Sequence, residues 1–201
     1  MSGAVVTLRS AGGSEAIAAS SNPDSRELAE LEFGLGEGPS LDAYANAQPV
    51  LVADLADQFQ GRWSGYTPAA VKAGLFGVYA FPLVLGAAKF GVLTVFSSAP
   101  HHLAREERSR CLVLAEMATQ VLLDSSDSSV GRAIDPHLES ALDFRSEIYQ
   151  AQGMVMVSLR LRLPEALARM RAYAFSVGRD LGGVSLDIVA GRLQLTDDRG
   201  A

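Results

Sequence analysis

At 201 residues, 48% of them hydrophobic, the chain has room for one medium domain plus a small appendage and enough apolar matter for a packed core, which excludes global disorder. No apolar run approaches the roughly 20 residues needed to cross a bilayer, and Met1-Ser2-Gly3-Ala4 lacks a basic stretch followed by a hydrophobic one, so a soluble, cytoplasmic protein is expected. The net charge of −6 argues against indiscriminate coating of nucleic acid, and Cys111, the single cysteine, excludes an internal disulfide and a multi-cysteine metal site.

In chain order, Ala4 to Arg9 and Glu15 to Ser20 read as strands flanking a hairpin turn at Ala11-Gly12-Gly13. Asp24 to Glu32 has a helical pattern ended by Phe33-Gly34-Leu35-Gly36-Glu37-Gly38-Pro39, and Leu41 to Ala47 predicts another turn or two of helix. Pro49 then precedes a strand over Val50 to Asp54. Val78 to Leu85 and Phe90 to Phe96, joined by Gly86-Ala87-Ala88, are apolar on both faces, so cover is expected on each side. The period turns helical from Ala104 to Leu123, with an apolar stripe of Cys111, Leu114, Ala118, Val121 and Leu122. Ser125-Ser126-Asp127-Ser128-Ser129 and Asp135-Pro136 interrupt the pattern, placing a linker over 125–137 between a domain at 1–124 and a second at 138–201. Three helices are predicted in the second: Leu138 to Leu159, Pro164 to Val177 and Val184 to Leu195. The fold class is α+β followed by an all-α module.

Few residues suggest catalysis. Glycines 34, 36 and 38 lack the Gly-Lys-Ser/Thr of a phosphate loop and read better as a turn. His101 and His102 follow Pro100 in a surface loop without companions at metal-ligand spacing, and Cys111 falls on the apolar stripe as a core residue. No enzyme, metal or cofactor is expected.

The second domain is more informative. Residues 1–137 carry nine basic and fifteen acidic side chains, whereas 138–201 carry eight of each, and all eight cations are Arg: 145, 160, 162, 169, 171, 179, 192 and 199. Arg bonds phosphate bidentately and stacks on bases, which suits RNA, although a genomic preference for Arg codons explains the usage as well. Gly153 lies inside a helical pattern at a cost of about 1 kcal/mol, usually compensated by packing or function. On the next helix Arg169, Ala172, Tyr173 and Ser176 share a face opposite Leu167, Met170, Ala174 and Val177, either a solvated face or one for phosphate contact and base stacking. Arg171 borders the apolar stripe, where an ion pair with Asp187 is its structural reading.

Glu147-Ile148-Tyr149-Gln150-Ala151-Gln152-Gly153-Met154-Val155-Met156, then Pro164 through Ala174, then Leu181 to Arg192, closely resemble the ANTAR domain. That family has Ala-x-Gly on its first helix, Leu/Met-Arg-x-x-Ala on its second and an apolar-Ala-x-x-Ile/Val pattern on its third. Gln152 stands where many members have Lys, and Ser185 where Ala is usual. The first part, through Gly36-Glu37-Gly38-Pro39-Ser40-Leu41-Asp42-Ala43, Val52-Ala53-Asp54-Leu55, Arg62-Trp63, Phe81-Pro82-Leu83 and Phe90-Gly91-Val92-Leu93, resembles the GAF domain of actinobacterial GAF and ANTAR antitermination regulators. Ser40 stands where relatives often have Cys, and the usual helix before the first strand is missing.

The resemblance implies a mixed or antiparallel sheet with flanking helices, then a three-helix RNA-binding domain. It implies a homodimer whose paired ANTAR domains hold a hexaloop hairpin in nascent RNA against a terminator stem, under control of a GAF sensor with an unidentified small-molecule ligand. The RNA-binding residues expected are Gln150, Ala151, Gln152, Gly153, Arg169, Arg171, Tyr173, Arg179 and Arg192. Helix pairing over Ala104 to Leu123 and Leu138 to Gln150 would supply the dimer contact. A protein-interaction adapter and a small-molecule sensor without RNA output are the alternatives.

Overall fold

The computed structural model describes residues 2–10, 15–58, 61–127 and 145–196. The expected turn at Ala11-Gly12-Gly13, positions 128–137 of the linker, the 138–144 start of the next helix and residues 197–201 lie outside them. The described order is β1 (Gly3–Arg9), β2 (Glu15–Ser20), α1 (Pro23–Leu35), α2 (Pro39–Asn46), β3 (Val50–Val52), α3 (Leu55–Gln58), α4 (Tyr66–Lys72), β4 (Gly77–Leu85), β5 (Ala88–Ser97), α5 (Arg105–Asp127), α6 (Ser146–Leu159), α7 (Leu163–Ser176) and α8 (Leu181–Val189). No helix among the described residues is long and apolar enough to cross a membrane.

The strands form one antiparallel sheet in the order β2-β1-β5-β4-β3. Alternation along β4 and β5 divides the core in two, because successive side chains leave a strand on opposite faces. Tyr79, Phe81, Leu83, Leu93 and Val95 meet Cys111 and Ala115 of α5, while Val78 and Phe96 meet Val5, Ala29, Tyr66 and Ala70 beneath α1 and α4. Both faces are therefore covered, as the doubly apolar strands require. Leu85 pairs with Ala88 across a turn in which Gly86, at φ 59°, supplies the left-handed residue.

Gly91 pairs with Leu8 where β5 passes β1, and a Cβ there would lie 1.9 Å from the Thr7 carbonyl oxygen. Neither backbone can yield without breaking the ladder. Gly91→Ala is expected to destabilise the chain by roughly 2 kcal/mol, the scale of an overpacked core, read as a lower urea midpoint.

The α5 stripe is corrected. Its buried line is Cys111, Ala115 and Thr119, with Ala118 and Leu122 packed beside them, whereas Leu114 and Val121 are 54% and 67% exposed. A helix lying on a flat sheet buries a narrow line, and the period alone does not choose which apolar line that is. Leu112, Val113 and Met117 join Leu114 and Val121 on the outward side. The helix also takes in Ser125, Ser126 and Asp127, the first residues of the expected linker.

In the helical module, Ile148, Ala151 and Val155 of α6, Ala166, Leu167, Met170 and Ala174 of α7, and Leu181, Val184 and Ile188 of α8 share one core. The third helix starts three residues before the expected Val184, since Asp180 caps it by accepting from the Gly183 amide at 2.7 Å. It ends at Val189 rather than Leu195, with Gly191 at φ 70°. Phe33 of α1 belongs to this same core and so joins the module to the sheet domain.

Candidate nucleic-acid interface

The face that α6 turns to its neighbours carries Ile148, Ala151, Gln152 and Val155, leaving Gln150 and Gly153 on the outward side. Nothing lies within 4 Å of where a Gly153 Cβ would be, so the glycine's helix penalty is offset by no packing among the described residues. On α7 the Arg169 guanidinium donates to the Thr196 carbonyl at 2.9 Å, and Tyr173 is half-buried one turn on. Arg179 and Arg192 both reach Asp187, at 2.7 Å and 2.6 Å. Arg169, Tyr173, Arg179 and Arg192 thus cluster around the end of α7, α8 and the segment after it.

Three of the expected residues are turned inward or toward the other domain. Ala151 is fully buried. Gln152 is 6% exposed, and its amide nitrogen donates to the Leu163 carbonyl at 2.6 Å, fixing the turn between α6 and α7. Arg171 leaves Asp187 to the other two arginines and instead lies against Gly36, with its guanidinium 5.0 Å from the Phe33 ring centre. Burial holds the Arg171 pKa down to about 10, so it remains a cation at neutral pH.

Sequence reasoning missed Arg145, which is 1% exposed. Its guanidinium reaches Glu15 at 3.2 Å and Glu30 at 3.1 Å, and stacks 3.9 Å from the Phe33 ring centre. Glu15 is also paired with Arg9. Beside it the Tyr149 hydroxyl accepts from the Glu15 amide at 2.6 Å and donates to the Glu15 carbonyl at 2.5 Å. The residue before α6 and a tyrosine one turn later therefore fasten the helical module to β2 and α1. An all-Arg composition was the only trace of this in the sequence, and composition does not separate a buried cation from a surface one.

The glycine loop serves the same region. Gly36 ends α1 at φ 72°, and Gly38 lies at φ 150° where a Cβ would also collide with the Glu32 side chain at 2.4 Å. Glu32 accepts from the Ser40 and Leu41 amides at the start of α2, and Glu37 from the Gly65 and Tyr66 amides at the start of α4. The amides at these two helix starts are therefore taken by the protein's own acidic side chains. His101, expected to be solvated, pairs with Glu107 at 2.9 Å. Burial pushes the Cys111 thiol pKa up, away from the thiolate a nucleophile needs.

Burial also pushes the Glu32 carboxyl up to about 7 from 4.5. Between those values the folded chain keeps a proton that the unfolded chain has released, so stability falls as pH rises through this window, by on the order of 3 kcal/mol in all. Glu32→Gln should flatten that slope. The check is urea midpoints of both proteins at about pH 5 and about pH 8, where the native protein loses more between the two than the variant.

Residues 136–189 match the ANTAR domain family. A structure described as a two-component sensor histidine kinase domain from Sinorhizobium meliloti 1021 is 18% identical over 65% of this chain and 83% of that one, with a TM-score of 0.51. The GAF domain of a phosphoenolpyruvate-protein phosphotransferase from Coxiella burnetii is 19% identical over 61% of this chain and 73% of that one, with a TM-score of 0.46. No curated protein matches the chain. At such identities the likeness of the first part is one of fold. An antiparallel sheet domain with flanking helices is followed in this chain by a C-terminal stretch that matches the ANTAR domain.

Proposed function

We propose that this protein is a cytoplasmic antitermination regulator that binds a hexaloop hairpin in nascent RNA through paired ANTAR domains. The observation that carries the reading is Gly153, an outward-facing glycine in mid-helix with open space over it. Such a notch lets a backbone come close, and a nucleic-acid backbone beside Gln150 would meet it. Arg169, Arg179 and Arg192 supply cations and Tyr173 a ring for stacking, while Ala151 and Gln152 position α6 from within. No bond is made or broken. The protein stabilises one of two exclusive RNA folds, and its effect equals its preference for that fold. Pairing of two copies is assigned to α5, whose outward side carries Leu114, Met117 and Val121. The sheet domain, as a sensor of a small ligand, would bias that pairing.

A second reading, a protein-docking adapter, is favoured by Val157 and Phe175 on the helical module, each 71% exposed. Titrating a hairpin library at two ionic strengths separates the two. RNA binding should weaken steeply with salt, with a slope of about −0.7 per single-strand phosphate contact. Absent or salt-insensitive binding by folded, dimeric protein favours the adapter.

A further inference from the structure

Between the two domains runs a cleft of about 1270 Å³, above the roughly 300–1,000 Å³ typical of small-molecule pockets. One wall is α1 with the loop after it and Ser64-Gly65, and the other is formed by α6, α7 and the start of α8. Leu31, Leu35, Ile148, Phe175 and Leu186 give it an apolar lining, and Phe175 and Leu186 are left 71% and 51% exposed.

Arg171 lines the same cleft. No carboxylate among the described residues lies within 4.0 Å of its guanidinium, and its buried Nε has no hydrogen-bond partner. The wall's carboxylates do not answer it: Glu30 is held by Arg145, Glu37 caps α4, and Asp180 caps α8. Glu27 is exposed and Glu147 partly so. Glu15 acts on Arg171 only from beyond ion-pair distance and is already held by Arg9 and Arg145, so an anion placed beside the partly buried guanidinium offsets the cost of its burial.

From this we infer that the cleft binds a small aromatic anion, its carboxylate or phosphate group taken by Arg171 and its flat body laid against Phe175 and Leu186. Such a ligand touches both domains at once, with Gly36 and Leu35 on one side and α7 and α8 on the other. The inference does not depend on the RNA reading, since a chain that ignores every hairpin would still bind the anion.

The test is calorimetric titration of the full chain with 1-naphthyl phosphate, 1-naphthoate, the uncharged 1-naphthalenemethanol and inorganic phosphate. At least one aromatic anion is expected to bind saturably at one site per chain, the tighter of the two identifying the head group. The alcohol should bind about tenfold more weakly, as befits loss of a charge-assisted hydrogen bond, and inorganic phosphate alone should give no saturable heat. Arg171→Gln should bring the anions down to the alcohol's level, and Phe175→Ala should weaken all three aromatic probes. Should Arg171→Gln fail to fold, the anion-to-alcohol ratio in the native chain and the exposed Phe175→Ala variant decide. The proposal is overturned if neither anion binds, if the alcohol binds as tightly as the anions, or if folded Arg171→Gln binds them unchanged.

Discussion

Arg145→Ala should destabilise the protein by roughly 3–5 kcal/mol, the cost of removing one partner from a buried ion pair. The guanidinium is held from two sides by Glu15 and Glu30 and from a third by the face of Phe33. Burial pulls the Arg145 pKa down, but the two carboxylates outweigh it and leave the pKa raised. Without the cation, Glu30 loses its ion-pair partner and Glu15 keeps only Arg9. The loss comes from the stranded carboxylate rather than from the pair's own attraction, so Glu30→Gln in an Arg145→Met background should recover part of it while Glu15 stays paired with Arg9. Because Arg145 fastens one domain to the other, urea unfolding of Arg145→Ala should also split into two transitions. A single transition with an unshifted midpoint would show that the cluster does not hold the domains together.

Gly153→Leu is expected to weaken hairpin binding about a hundredfold while the helices stay intact. Nothing lies within 4 Å of the added Cβ, and losing a mid-helix glycine favours α6. Gly153→Ala isolates that second effect and should raise stability by about 1 kcal/mol. Filter binding at low salt alongside thermal unfolding reads both quantities. Loss of helical signal in Gly153→Leu would mean that the position is a packing site, and the notch reading would fail.

What could be read from the residues alone was whatever a short window determines. The β4 and β5 pair was legible because two apolar runs flank a glycine turn, and Gly153 was legible because it contradicts its own helix. The outward placement of Leu114 and Val121 was not, since only the sheet decides which line of α5 is covered. Arg171 was assigned to Asp187 because both lay in one module, whereas its neighbours Gly36 and Phe33 come from the other domain. Arg145 and Glu30 are 115 positions apart, and no local pattern links them. Asp180 is a legible cap signal, but a start at Val184 leaves outside the helix the glycines 182 and 183 that α8 contains.

The strand order has a consequence in time. β1 sits between β2 and β5, with Val5 opposite both Ser20 and Thr94, so a nascent chain carries a half-finished hairpin with an open edge until β5 has been synthesised. The three terminal helices are neighbours in sequence and close quickly, as local contacts do. The join at Arg145 needs both parts, since Glu15 and Glu30 come from the sheet domain. Damage far away at the β1–β5 ladder would therefore surface as a correctly formed helical bundle with no dock to settle on.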